Sequence, residues 1–400
     1  MRKLFGLKGR IQNYAWGGTD FLPDLLGIKK EDLPYAEYWM GAHINAPALV
    51  VEEDAQVPLD QYIARDPVQR LGSKVWEEFG RLPYLFKVLD VHDMLSIQVH
   101  PSKKEAEKGF QRENEKGIPL TAANRNYKDD NHKPEIMVAL GDFWLLHGFL
   151  PKNDLMAVLN AAPEFQELVP IFEQQGYRGL YQYVMELDED RSDRILKPLA
   201  KRILPHFNEG KLAKSSPDYW AAKAISSAAR GKPLDKGIFS IYFFNVVALK
   251  KGEAVFQDAG VPHAYLEGQN MELMANSDNV LRGGLTPKHI DVPELLKHVV
   301  FEETRPEVLT GIVQEDNIER IYRCPAPDFQ LSAIQLKLGQ RFFSSSRTSE
   351  VFMVIGGKGE VTEGETVLTF DRGDAFVIFA NSDFSIHAQK DTVIFRASTP

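Results

Sequence analysis

Cysteine is nearly absent from this chain: Cys324 is the only one in 400 residues. One thiol can build neither an intrachain disulfide framework nor a thiolate-rich zinc site, and the scarcity fits a reducing compartment. No stretch reaches the roughly 18 consecutive apolar residues that a bilayer crossing requires. The opening MRKLFGLKGRIQNYAWGG has too short an apolar run for a secretory signal. A cytoplasmic protein that does not enter membranes is therefore expected. Positive charge is also scarce. Lys and Arg number 47 against 56 Asp and Glu, a formal charge of -9, which gives no support to a general nucleic-acid surface. Any anion must be held by local basic residues.

What is present is a chain with 44% hydrophobic residues, enough to bury a substantial core and long enough for two or three domains. Gly, Pro and aromatics dominate the first 60 residues. Val68, Leu71, Val75 and Phe79 then recur at helical spacing and predict a single helix over DPVQRLGSKVWEEFG. YLFKVLDV and MLSIQVH read as strands separated by a turn at His92 and Asp93, and KPEIMVAL and FWLLHGF follow. From about 151 to 230 apolar residues fall three and four apart, a helical texture. GIFSIYFFNVVALKKGEAVF reads as strand again, with Gly252 in a turn. From about 318 short strands alternate with Gly, Asn and Asp, the rhythm of a second antiparallel sandwich or barrel. The expected fold is mainly β. It comprises a catalytic unit over 1–150 plus 231–317, a helical insertion over 151–230 and a C-terminal unit over 318–400.

Potential metal ligands stand in three separated segments: Gln98 and His100 in LSIQVHP, Glu135 in NHKPEIMVAL and His263 in AGVPHAYLEG. Gln98 and His100 are two apart, so on a strand both project from one face. Two imidazoles, one carboxylate and an amide oxygen suit zinc or another borderline divalent metal, and mixed nitrogen and oxygen donors point to catalysis rather than a structural clasp. Other histidines lack such company. His147, His298 and His387 read as ordinary core or surface residues.

NYAWGG, AEYWMGAH, LSIQVHP, NHKPEIMVAL and VPHAYLEGQNMELMANSDNVLRGGLTPKHID strongly resemble the type I phosphomannose isomerases, and the likeness runs through nearly the whole chain. GGKGEV followed by TFDRGDAFVI also resembles the turn pattern of a cupin. The resemblance implies two cupin-type jelly-roll domains with an inserted α-helical domain, and one Zn2+ per chain held by Gln98, His100, Glu135 and His263. It further implies interconversion of mannose 6-phosphate and fructose 6-phosphate, on the route to GDP-mannose. It marks Arg282 as an active-site residue and places Trp16, Glu37, Lys87, Ser96, Tyr265 and Lys288 about the substrate. His43 matches less well, because INAP follows it here.

Aldose to ketose conversion moves a proton between carbons 2 and 1 through an enediol or enediolate, which needs positive charge nearby. A metal with Glu135 as its only anionic ligand keeps such charge. Arg282 in SDNVLRGG would stabilise the enediolate or bind the substrate anion; its bland alternative is a surface ion pair with Asp278 four residues earlier. Lys133 precedes Glu135 by two and shares its face on an extended chain. A cation beside a metal is expected to titrate low, which makes Lys133 a candidate base. His132 and Glu272 compete with it for ring opening and proton transfer, and Asp278 completes the catalytic candidates. A metal-dependent cupin oxygenase would also use two His and a carboxylate, but Gln98 occupies a position that dioxygen chemistry needs open. A non-catalytic sugar binder would not need Lys133, Glu135, Glu272 and Arg282 together. The expected partner is a phosphosugar alone, and a chain of this size can act as a monomer.

Overall fold

A computed structural model describes residues 2–53, 55–227 and 233–400 of the chain. Antiparallel strands dominate it, in sheets of ten, nine and four strands among the described residues. The apolar runs that bound the site each form a strand: Tyr84–Val91, Ile97–Val99, Glu135–Ala139 and Phe143–Phe149. Tyr84–Val91 is buried along its whole length, as a strand covered on both faces must be. It is flanked by Glu37–Gly41 and the long strand His263–Ala275. His263–Ala275 also pairs with Ile97–Val99, Glu135–Ala139 and Phe143–Phe149. One strand thus gathers the sequence-distant ligand segments.

The helical stretch lies between Phe143–Phe149 and Phe244–Leu249, which pair directly with each other. Within it, Glu189–Asn208 begins at Asp188, whose carboxylate accepts from the Arg191 N–H at 2.8 Å, an N-cap that satisfies an otherwise orphaned donor. Ile195, Leu196, Leu199 and Ile203 form its buried stripe and join Phe165, Trp220 and Phe239 in one apolar core. No helix of the described residues is long and apolar enough to cross a membrane.

Two expectations change. The segment GIFSIYF is a helix, Gly237–Phe243, with all seven residues buried; a continuous apolar run carries no period to separate a buried helix from a strand. The single helix expected over 66–80 is two, Pro67–Leu71 and Ser73–Phe79. They break at Gly72, whose φ of 89° no helix accommodates, and a Cβ there would lie 2.9 Å from the Arg347 carbonyl oxygen. One strand pairing carries no signal in the sequence. Leu4–Lys8 inserts between Ala375–Ile378 and Leu49–Val51, so N-terminal residues complete the nine-stranded sheet of the C-terminal segment. The expected boundary at 230/231 lies outside the described residues.

Candidate metal centre and active site

Register places the candidate ligands. His263 stands opposite Gln98 on one neighbouring strand and opposite His147 on another, while Gln98 stands opposite Arg282 of Leu281–Gly284. Directly opposed residues of antiparallel strands project to one face, so Arg282, Gln98, His263 and His147 form a row across the sheet. Glu135 opens its strand with Met274 and Gln257 as register partners. His100, just past the end of Ile97–Val99, is fully buried.

His100, Glu135 and His263 offer ligand atoms within 4.8 Å of one another. His100 Nε2 is 3.4 Å from one Glu135 oxygen and His263 Nε2 is 3.4 Å from the other. The far nitrogens explain the orientation. His100 Nδ1 lies 2.9 Å from the Asn279 carbonyl, and His263 Nδ1 lies 2.9 Å from that of Val261. A carbonyl only accepts, so each Nδ1 carries the proton and each Nε2 turns a lone pair toward Glu135. The His100 Nε2 is buried without a hydrogen-bond partner, a costly arrangement that a metal ion would relieve. These donors fit a divalent ion of the zinc type.

The adjoining cavity, about 50 Å³, is lined by Gln98, Glu135, His263, Glu37, Lys87, Lys133, Glu272 and Tyr265 among others. It has room for an ion and a few ligand atoms, since one water needs roughly 10–15 Å³. Lys87 Nζ sits 3.0 Å from Glu272 and 3.5 Å from Glu37, and Lys133 Nζ sits 2.8 Å from Glu135. Three buried carboxylates against two ammonium groups leave one negative charge, which a dication converts to a net positive one.

Burial alone would lower the Lys87 ammonium, yet Glu37, Glu272 and Glu135 together hold it above the ordinary lysine range. Burial raises the Glu272 carboxyl, with Glu135 and Glu37 reinforcing it against the pull of Lys87. Burial also opposes ionisation of Glu135, but Lys133 and His100 outweigh it and hold this carboxyl well below its usual range. The Tyr265 phenol, pushed well up by burial, Glu272 and Glu135, donates to Glu272 at 2.9 Å.

Residues 4–152 match the phosphomannose isomerase type I catalytic domain. The mannose-6-phosphate isomerase of Salmonella typhimurium is 38% identical over 368 residues, covering 90% of this chain and 89% of that protein. The mouse enzyme is 34% identical over 430 residues, covering 99% and 98%. The chain belongs to the mannose-6-phosphate isomerase family. A Salmonella typhimurium mannose 6-phosphate isomerase structure bound to substrate and a zinc atom matches over 100% of both chains with a TM-score of 0.87 and 33% identity. An alanine variant of the phosphomannose isomerase of the same organism matches as fully, with a TM-score of 0.89 and 32% identity. The fold is thus the family's: mainly β, two cupin-type jelly rolls with a helical insertion.

The expected site residues divide. Gln98, His100, Glu135, His263, Glu37, Lys87, Lys133, Glu272 and Tyr265 converge. Trp16 is half-buried against the apolar floor that contains Tyr265 and Leu89, and stacks on Tyr14 at 5.9 Å. Arg282 has no acidic partner among the described residues, and burial alone lowers it. Its glycines do permit a close wall: a Cβ on Gly284, at φ 128°, would lie 2.4 Å from Gly237 Cα, and one on Gly283 would lie 2.6 Å from Tyr181 Oη. Asp278 does not pair with Arg282. Its Oδ1 lies 3.2 Å from His43 Nε2, which outweighs burial and lowers the carboxyl. His132 is not among the cavity-lining residues; its Nε2 lies 2.8 Å from Asp328 of the C-terminal segment. Ser96 is half-buried just before Ile97–Val99, and Lys288 is exposed.

Sequence reasoning passed over four residues. His147, set aside as an ordinary core histidine, lies beside His263 in register and bonds Gln257 through Nδ1 at 2.7 Å. Tyr14, within NYAWGG, has its phenol raised by burial and by Glu37. Asn279 lies within the SDNVLRGG motif itself, three residues before Arg282. Asp328 carried no sequence signal, because its partner His132 is 196 positions away.

Proposed function

We infer that this chain interconverts mannose 6-phosphate and fructose 6-phosphate with zinc as its metal. The observation that carries the reading is the pair of buried Nε2 lone pairs turned on Glu135, in a family chain whose cavity also holds Lys87, Lys133 and Glu272. Gln98, His100, Glu135 and His263 would hold the ion, which supplies positive charge to polarise the sugar oxygens at carbons 1 and 2.

The protein groups take the remaining roles. Glu272 fits the base that carries a proton between carbons 1 and 2, since its raised carboxyl is closer to the working pH than an ordinary one. Lys87, 3.0 Å away, keeps that carboxylate compensated and is placed to donate to a sugar oxygen. Lys133 is engaged by Glu135 at 2.8 Å, so its charge steadies the ligand carboxylate first. His132, held by Asp328, is the weakest of the proton-transfer candidates. Arg282, uncommitted to any acid among the described residues and opposite Gln98 in register, stabilises the developing enediolate or receives the substrate anion. Lys288 adds positive charge for the phosphate, and Trp16, Glu37, Ser96 and Tyr265 frame the sugar.

The chain is read as a catalytic unit over 1–150 plus 231–317, interrupted by the helical insertion over 151–230, and followed by a C-terminal unit over 318–400. A monomer is the proposed working unit, and the lone thiol Cys324 supports a reducing, cytoplasmic setting. The test is a coupled assay on mannose 6-phosphate before and after chelation, with solvent deuterium followed at carbons 1 and 2. One zinc per chain, activity lost on chelation and deuterium uptake are expected; a metal-free protein with full turnover would sink the reading.

A further inference from the structure

Between Glu115 and Glu135 the chain forms neither helix nor strand, and loops of this length hold a fixed path only when something pins them. The end of this loop delivers Lys133 and Glu135 to the cavity. Glu113 and Glu294 hold Asn126 and Tyr127 in the middle of the loop, and over the next residues, 128–131, most of the pins converge on one side chain. Asn279, fully buried, accepts from the N–H groups of Lys128 and Asp129 through Oδ1 at 2.7 and 3.3 Å. Its Nδ2 donates to the carbonyls of Asp129 and Asn131, both at 2.8 Å, and lies 3.2 Å from Asp129 Oδ1. Asp129 Oδ1 and Oδ2 in turn accept from Ser277 Oγ and the Asp278 N–H, each at 2.8 Å.

The backbone of the same residue faces the other ligand segment. The Asn279 carbonyl accepts from His100 Nδ1 at 2.9 Å and so selects the tautomer that leaves Nε2 free. Two residues later the chain enters Leu281–Gly284, which carries Arg282 opposite Gln98. We propose that Asn279 is the positioning residue of this site: one amide fixes the loop that presents Lys133 and Glu135 to the carbonyl that orients His100. It touches neither sugar nor reacting atoms and acts through the residues that do. The proposal rests on the reading of this cavity as a zinc site.

The test uses the full-length zinc-loaded protein and the variants Asn279→Ala and Asn279→Asp. Zinc affinity is read by competition with a chromophoric chelator, and hydrogen exchange is followed across 126–133. Asn279→Ala keeps the backbone carbonyl behind His100 and loses only the amide that fixes the loop, so zinc should bind about 10-fold more weakly, the low end of the cost of disturbing the support of metal ligands. Its Lys128 and Asp129 amides should exchange faster, and kcat should fall more than KM rises. Asn279→Asp keeps the acceptor for those two amides and should recover part of the exchange protection. Folded Asn279→Ala whose zinc affinity stays within about threefold of the parent protein would overturn the proposal, because second-layer partners normally cost more than that. If Asn279→Ala does not fold, Asn279→Ser, which also lacks the carboxamide, decides by the same threshold. An unmodified chain without stoichiometric zinc would instead overturn the zinc reading.

Discussion

Replacing Lys87 with methionine tests the electrostatics of the cavity directly. Lys87 is 6% exposed, and its ammonium lies 3.0 Å from Glu272 and 3.5 Å from Glu37. At an effective dielectric of roughly 20 these separations correspond to attractions of about 5.5 and about 4.7 kcal/mol. Both offset the burial of the charges, so the net loss is smaller: removing one partner of a buried pair costs about 3–5 kcal/mol. The pH dependence identifies the cause. Glu272 already titrates higher in the folded chain than its ordinary 4.5, so the folded state binds more protons there. The stability this gives is complete below about 4.5 and is lost as pH rises through the folded value. Lys87 holds that value down, and without it the window extends upward. Urea midpoints at pH 5 and pH 8, at constant m, should show the Lys87→Met deficit larger at pH 8, and adding Glu272→Gln should recover part of it. A deficit under about 1 kcal/mol, well below the usual cost of a broken buried pair, or one equal at both pH values, would mean that Lys87 does not compensate these carboxylates.

Further outcomes follow from the same geometry. His100 and His147 are lowered from 6.5 to about 4, in both cases chiefly by burial. The unfolded chain therefore binds more protons between those values, and metal-free protein should lose stability as pH falls through that window, by up to about 1.4 kcal/mol per pH unit for each histidine. The two histidines outnumber the opposing Glu272; flat urea midpoints from pH 6.5 to 4.5 would contradict the assignment. Arg282→Lys should change stability by no more than about 0.5 kcal/mol, because no acid among the described residues pairs with Arg282, while kcat/KM falls about 10²–10³-fold, as for loss of an oriented charge donor. An unfolding midpoint that drops while the rate holds would make Arg282 structural. Gln98→Glu adds a second anionic ligand, so zinc should bind more tightly by chelator competition while turnover falls; full turnover would refute the role given to a neutral ligand.

Much of the site could be read from residue types and spacing, because strand alternation acts locally. Gln98 and His100, or Lys133 and Glu135, need only the two-residue period to share a face. What stayed hidden depends on chain segments far apart in sequence. Gly72 breaks a helix because Arg347 approaches it from the C-terminal segment. Leu4–Lys8 joins the C-terminal sheet through pairing across more than 360 positions. Gly237–Phe243 is apolar all round, and only its burial among Phe165, Trp220 and Leu281 makes a helix of it.

His132 shows how far the local rule reaches. The alternation that groups Lys133 with Glu135 also turns residue 132 to the opposite side of an extended chain. His132 accordingly meets Asp328, which is 2% exposed, while the next residue reaches the ligand carboxylate. The same period that nominates Lys133 therefore argues against its neighbour, and chemical suitability alone, an imidazole beside a metal motif, is not enough to place a group in a site. Asn279 is the converse case. An asparagine suggests no acid, base or ligand, yet its two amide atoms and its carbonyl bond to both ligand-bearing segments. A residue of that kind becomes visible only when hydrogen bonds are traced outward from the ligands.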